Sequence, residues 1–138
     1  MDKLNNELID YITKVTAQLE KGYELELTEF FLNHQQLLVL DRINKEGPIS
    51  QKDIASQLNL NKAHVSKIVK KLVSLEYLQA IGQDGDARLK LWTTSFTGIQ
   101  VSTKAFEKIS AQNQNWAPEL SAAEVNQMIR ILSKIKLS

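Results

Sequence analysis

Apolar residues recur every three or four positions along most of this chain, the period of a helix with one buried face. Leu4, Leu8, Ile9, Ile12, Val15 and Leu19 keep that spacing and predict a long amphipathic first helix from Asp2 to about Gly22, with Gly22 a candidate interruption. Leu25, Leu27, Phe30 and Phe31 follow without a clear period, which leaves open whether the helix resumes or the chain loops. Asn33 then offers a cap with Gln36 at the capping-box position, ahead of Leu37, Leu40 and Ile43 on one face. This second helix is predicted to end at Gly47-Pro48, because proline cannot continue it.

The stretch Ser50 to Leu78 reads as two short helices joined by a tight turn. Ser50 can cap the first, Asp53 stands three residues on in an S-x-x-D variant of the capping box, and Ile54, Ala55 and Leu58 supply a buried side. Asn59-Leu60-Asn61 has turn chemistry: asparagine tolerates left-handed backbone, and Asn61 can cap the amides that follow. In the second helix Val65, Ile68, Val69 and Leu72 form one stripe, while His64, Lys67, Lys70 and Lys71 fall largely outside it. No acid lies between Asn61 and Leu75, although Lys62, Lys67, Lys70 and Lys71 do. A cationic helix following a tight turn is what a helix-turn-helix needs to enter a groove of duplex DNA.

Tyr77-Leu78-Gln79-Ala80-Ile81 and Lys90-Leu91-Trp92-Thr93-Thr94 have strand-compatible composition. The Gly- and Asp-rich segment between them predicts a hairpin, or wing. Ser95 can cap a further helix through Phe96, Ile99, Ala105, Phe106 and Ile109, in which Gly98 is a mild weakness, and Asn113 to Pro118 breaks that pattern. Ser121 with Glu124 makes a full capping box ahead of Val125, Met128, Ile129, Leu132 and Ile135. The predicted order is four helices, a hairpin and two helices.

At 138 residues the chain suffices for one ordinary core, and its 43% hydrophobic and 24% charged residues fit a globular protein. It has no cysteine, which excludes disulfides, thiolate metal sites and thiol redox chemistry and fits a reducing cytoplasm. Charges interrupt the first fifteen residues too often for a signal peptide or membrane span. The formal net charge of +1 hides a gradient. Residues 1–49 hold five basic against nine acidic residues, residues 50–90 seven against four, and residues 91–138 five against three. Positive charge concentrates on the helix-turn-helix, where counterion release from phosphates requires it. There is no P-loop, dinucleotide Gly fingerprint, G-x-S-x-G or H-E-x-x-H, and nothing pairs the carboxylates into an acid/base constellation, so no enzymatic activity and no cofactor is expected. Two histidines, His34 and His64, on different elements argue against a His-rich metal site.

Four short motifs, in order, resemble the MarR family of bacterial transcriptional regulators over nearly the whole chain. Leu32-Asn33-His34-Gln35-Gln36 is similar to the family's L-T-x-x-Q, and Val65-Ser66-Lys67 to its V-[ST]-R. Asp86-Ala87-Arg88 is similar to the D-x-R of the wing, and Ser95-Phe96-Thr97-Gly98 to the T-x-x-G opening the next helix. The resemblance implies a mainly α winged helix-turn-helix of about six helices plus a β-hairpin wing. Residues 33–94 would form the DNA-binding part, and residues 1–32 and 95–138 the dimerisation helices, of a single domain spanning 1–138. It further implies a homodimeric, cytoplasmic repressor on a pseudo-palindromic operator, released by a small anionic or aromatic effector.

Two departures from the family pattern stand out. After the recognition helix the family often has Gly, suited to a left-handed cap, where this chain has Glu76; and its wing loop has little positive charge besides Arg88. The candidate DNA-binding residues are Gln51, Lys52, Lys62, His64, Ser66, Lys67, Lys70, Lys71, Arg88 and Lys90, with Asp86 supporting the wing arginine. Lys67 stands where the family usually has Arg and lacks the planar fork that reads guanine bidentately. His34, and the aromatic residues Trp92, Trp116, Phe30, Phe31, Tyr11 and Tyr23, serve either packing or an effector pocket. The rival function is a winged-helix adaptor presenting the same positive face to an acidic protein.

Overall fold

The computed structural model describes residues 1–82 and 90–137. Helix α1 spans Asp2–Leu27 and runs straight through Gly22 into a 3-10 turn, Thr28–Phe30. The candidate interruption does not form, because Leu19, Tyr23 and Leu27 continue the buried stripe past it and packing outweighs glycine's modest helix penalty. Then follow α2 His34–Glu46, α3 Gln51–Leu58, α4 Lys62–Ser74, β1 Leu78–Ile81, β2 Leu91–Thr94, α5 Phe96–Asn113 and α6 Ala122–Leu132.

Helices α2 to α6 each start from a side chain that takes up free amides, whereas α1 has no side-chain cap. Asn33 Oδ1 accepts the Gln36 amide at 2.8 Å while Gln36 Oε1 accepts the Asn33 amide at 2.9 Å, a complete capping box. Ser50 Oγ accepts from the Asp53 amide, Asn61 Oδ1 from that of His64 and Ser95 Oγ from that of Gly98. Ser121 and Glu124 close the second full box, which holds the Glu124 carboxyl below its usual pKa through the backbone and side-chain hydrogen bonds of Ser121. Three helical ends, those of the 3-10 turn, α3 and α4, share a different device. At Phe31, Asn59 and Glu76 the backbone is left-handed, with φ of 61, 54 and 64°. In each case that residue's amide bonds three positions back and the next amide five positions back, a Schellman arrangement with a non-glycine at its left-handed position.

The strands pair antiparallel, Leu78 with Thr94 through Ile81 with Leu91. Ile49 adds a single bridge to Trp92, tying the α2–α3 connection to the hairpin base. Strand β1 begins one residue later than its composition suggested, because the amide of Tyr77 is taken by Leu72. The core lies where α2, α3 and α4 meet under the hairpin: Leu37, Leu40, Ile43, Ile54, Val65 and Leu72 are fully buried, with Leu27 of α1 inserted beside them. Helix α5 lies across α2 and α1. Gly98 is no mere weakness in α5. A Cβ there would stand 2.1 Å from the Tyr77 carbonyl oxygen, so only glycine lets α5 meet the end of α4 this closely. Helix α6 has no buried residue and ends at Leu132, short of Ile135. No helix of the described residues is long and apolar enough to cross a membrane.

Candidate nucleic-acid interface

Helix α4 turns its buried stripe, Val65, Ile68, Val69 and Leu72, toward α2 and α3. At 100° per residue the opposite side carries Ala63, Lys67 and Lys70, all exposed. Lys62 and Ser66 lie toward one flank, His64 and Lys71 toward the other. The long stems of the lysines can therefore reach outward without uncovering the core.

The first flank opens on a cleft of about 800 Å³ lined by Ser50, Gln51, Lys52, Lys62, Ser66, Val69, Lys70, Val73, Lys90 and Trp92. It gathers six of the candidate residues from three places: the first turn of α3, the outer side of α4 and the residue just before β2. Four of its lining residues are lysines and none is an acid. Val69, Val73 and Trp92 give it an apolar floor, and the Lys90 ammonium sits 5.8 Å from the centre of the Trp92 ring. Among the described residues the ion pairs lie elsewhere: Asp10 with Lys14, Asp41 with Lys45, Glu46 with Arg42, and Glu29 with Lys108. A groove rich in ammonium groups beside a protruding cationic helix is suited to a polyanion with regularly spaced charges.

Lys67, Lys71 and His64 do not line this cleft. Lys67 occupies the outermost line of α4, while half-buried His64 leans toward α2, where its Nε2 lies 2.6 Å from Oε1 of Gln35. Gln35 did not figure among the sequence candidates: its link to the recognition helix spans 29 residues and leaves no local periodicity. Arg88 and Asp86 fall outside the described residues.

His34 lies away from the cationic face. It is half-buried, its ring 4.6 Å from that of Tyr23, beside a hollow of about 250 Å³ lined also by Glu20, Glu24, Asn33 and Gln35. Burial holds its pKa below the ordinary histidine value, against the opposing pull of the Glu20 carboxylate. Among the aromatic residues Trp92, Phe30 and Tyr23 are core, whereas Trp116, Phe31 and Tyr11 are exposed. Among the described residues no group of three or more His, Asp or Glu is placed to hold a metal.

Residues 32–90 match the MarR family model. The fold is similar to that of MarR from Staphylococcus aureus in complex with salicylate and kanamycin, at 18% identity over 96% of this chain and 89% of that one, with a TM-score of 0.85. It is similar to a mutant MarR from Escherichia coli complexed with operator DNA, at 19% identity, 93% and 92% coverage and a TM-score of 0.83. The S. aureus MepR–DNA complex matches at 20% identity, 90% of each chain and a TM-score of 0.79. Among curated protein sequences none matches this chain.

Proposed function

We propose that this chain, whose residues 32–90 match the MarR family model, is a DNA-binding transcriptional regulator of that kind, a homodimer on a pseudo-palindromic operator. The observation that carries this proposal is the convergence of Gln51, Lys52, Lys62, Ser66, Lys70 and Lys90 on one cleft beside the exposed lysine face of α4. In this arrangement α4 enters the major groove, Lys67 and Lys70 lead, and the residues of the cleft grip the adjoining phosphate backbone. Lys71 and the Gln35-buttressed His64 contact the other strand's side of the groove. By the family resemblance, Arg88 would add the wing contact, supported by Asp86. Two of the structurally similar proteins were solved on DNA and one with salicylate, which supports both a duplex partner and a small effector for this chain.

The proposed division is residues 33–94 for DNA and residues 1–32 and 95–138 for dimerisation. Leu4, Leu8, Ile12 and Val15 on α1, and Val125, Met128, Ile129 and Leu132 on α6, are all exposed, Leu4 by 62% and Ile129 by 61%. Apolar faces of this extent on helices that cover little of their own chain call for a second copy. Repression relieved by an effector requires only that the ligand bind two dimer conformations unequally. The protein acts in the cytoplasm, beside the chromosome, and performs no catalysis.

Selection of bound duplexes from a random pool tests the proposal. The expected product is two inverted half-sites with centres about one helical turn, roughly 34–36 Å, apart. Recovery of unrelated sequences with no repeated half-site would refute it, and competition by an acidic protein but not by DNA would favour the adaptor.

A further inference from the structure

Tyr77 ties three parts of the fold together. It is 7% exposed, directly follows the left-handed Glu76, and donates its amide to Leu72 at the end of α4. Its carbonyl accepts the Ser95 amide at 3.0 Å and faces Gly98, so α5 starts against it. Its buried hydroxyl donates to the Phe30 carbonyl at 2.9 Å, across 47 residues, in the 3-10 turn that ends α1. Lys108 of α5 grips the same turn, pairing with Glu29 and standing 5.7 Å from the Phe30 ring centre. The exit of the recognition helix is thereby fixed to both α1 and α5.

We infer that Tyr77 and the 3-10 turn it holds are the joint that sets the angle of the recognition helix against the dimer arms, and with it the half-site separation the protein accepts. This rests on the DNA-binding homodimer proposed above. Helix α4 has 13 residues, so it is roughly 20 Å long. A pivot of about 10° at the Tyr77 end would move its far end about 3.4 Å, the rise of one base pair. A small loosening of this joint is therefore enough to change register on DNA. Tyr77 is a positioning residue: it acts through α4 and touches no base.

The test uses duplexes carrying the selected half-sites at separations stepped by single base pairs. Wild-type protein is expected to lose on the order of tenfold affinity one step from its optimum. Tyr77→Phe keeps the ring and deletes the hydroxyl. It is expected to remain a folded dimer with the wild-type salt dependence while losing less than about threefold at the same step. 4-Aminophenylalanine at position 77, which keeps a donor, is expected to restore the sharp optimum. Lys108→Met, at an exposed position, loosens the same turn without touching the core and is expected to broaden the profile too, so it decides the matter should Tyr77→Phe not fold. A purely structural role would lower affinity equally at every separation, and an unbroadened profile in a folded variant overturns the inference alone. A wild type that binds no duplex overturns the DNA-binding proposal and this inference with it.

Discussion

Glu76→Gly should make the protein more stable, although it deletes a whole side chain. Glu76 has φ 64°, a conformation that costs an L-residue about 1–2 kcal/mol. The strain is held by two bonds that close α4, from the Glu76 amide to Val73 at 2.9 Å and from the Tyr77 amide to Leu72 at 3.0 Å, and by Ser95 Oγ donating to the Glu76 carbonyl at 2.7 Å. Glycine satisfies all three without strain, offset by roughly 0.5–1 kcal/mol of extra freedom in the unfolded chain. Removing an acid from the C-terminal end of α4 also favours the folded state, since the helix dipole is negative there. The net expectation is a gain of about 0.5–1 kcal/mol, or roughly 2–4 °C in Tm. Thermal and urea unfolding at fixed protein concentration measure it, with Glu76→Ala as control: alanine keeps the strain and should gain little. If Glu76→Gly is no more stable than Glu76→Ala, the assignment of strain to this residue is wrong.

Gly98→Ala places a Cβ against the Tyr77 carbonyl oxygen at 2.1 Å, and the forced separation of α5 from α4 should destabilise by about 1–3 kcal/mol or more, visible in urea unfolding. His34 contributes a pH dependence with a definite sign. Its folded pKa lies below the ordinary histidine value, so the unfolded chain binds more protons and stability falls as pH drops below about 6.5, down through the folded pKa. His34→Gln should flatten the unfolding profile in that window, whereas Glu20→Gln, removing an attraction for the imidazolium, should steepen it. Ile129→Glu, on the exposed face of α6, should yield a monomer by sedimentation or light scattering and abolish specific DNA binding. A stable dimer in that variant would move the subunit interface elsewhere.

The helix-turn-helix was legible because its information is local. Caps at Asn33, Ser50, Asn61, Ser95 and Ser121, the stripe from Val65 to Leu72, and the turn at Asn59 are each set by residues a few positions apart and form as the spacing implies, except that at Ser50 only the serine half of the expected box with Asp53 is made. The course of α1 beyond Gly22 was not legible, because it is decided by tertiary burial of Tyr23 and Leu27 rather than by propensity. Gly98 was misjudged for the same reason: its value lies in an approach to Tyr77 that no helical period records. In the candidate site, charge pattern marks the lysines of α4, but only the fold separates Lys62 and Lys70, which line the cleft, from Lys67 and Lys71, which do not. The Gln35–His64 and Tyr77–Phe30 bonds join residues 29 and 47 positions apart, beyond any motif.

The salt dependence of duplex binding tests the central claim most directly. Log affinity should fall linearly with log salt, and Lys70→Ala, which removes two ammonium groups from a dimer, should make the slope shallower by roughly 1.8, two phosphates at about 0.9 each. A variant that remains folded and dimeric yet keeps both the wild-type affinity and the wild-type slope would contradict the account, because the cleft beside α4 would then not be where the DNA backbone lies.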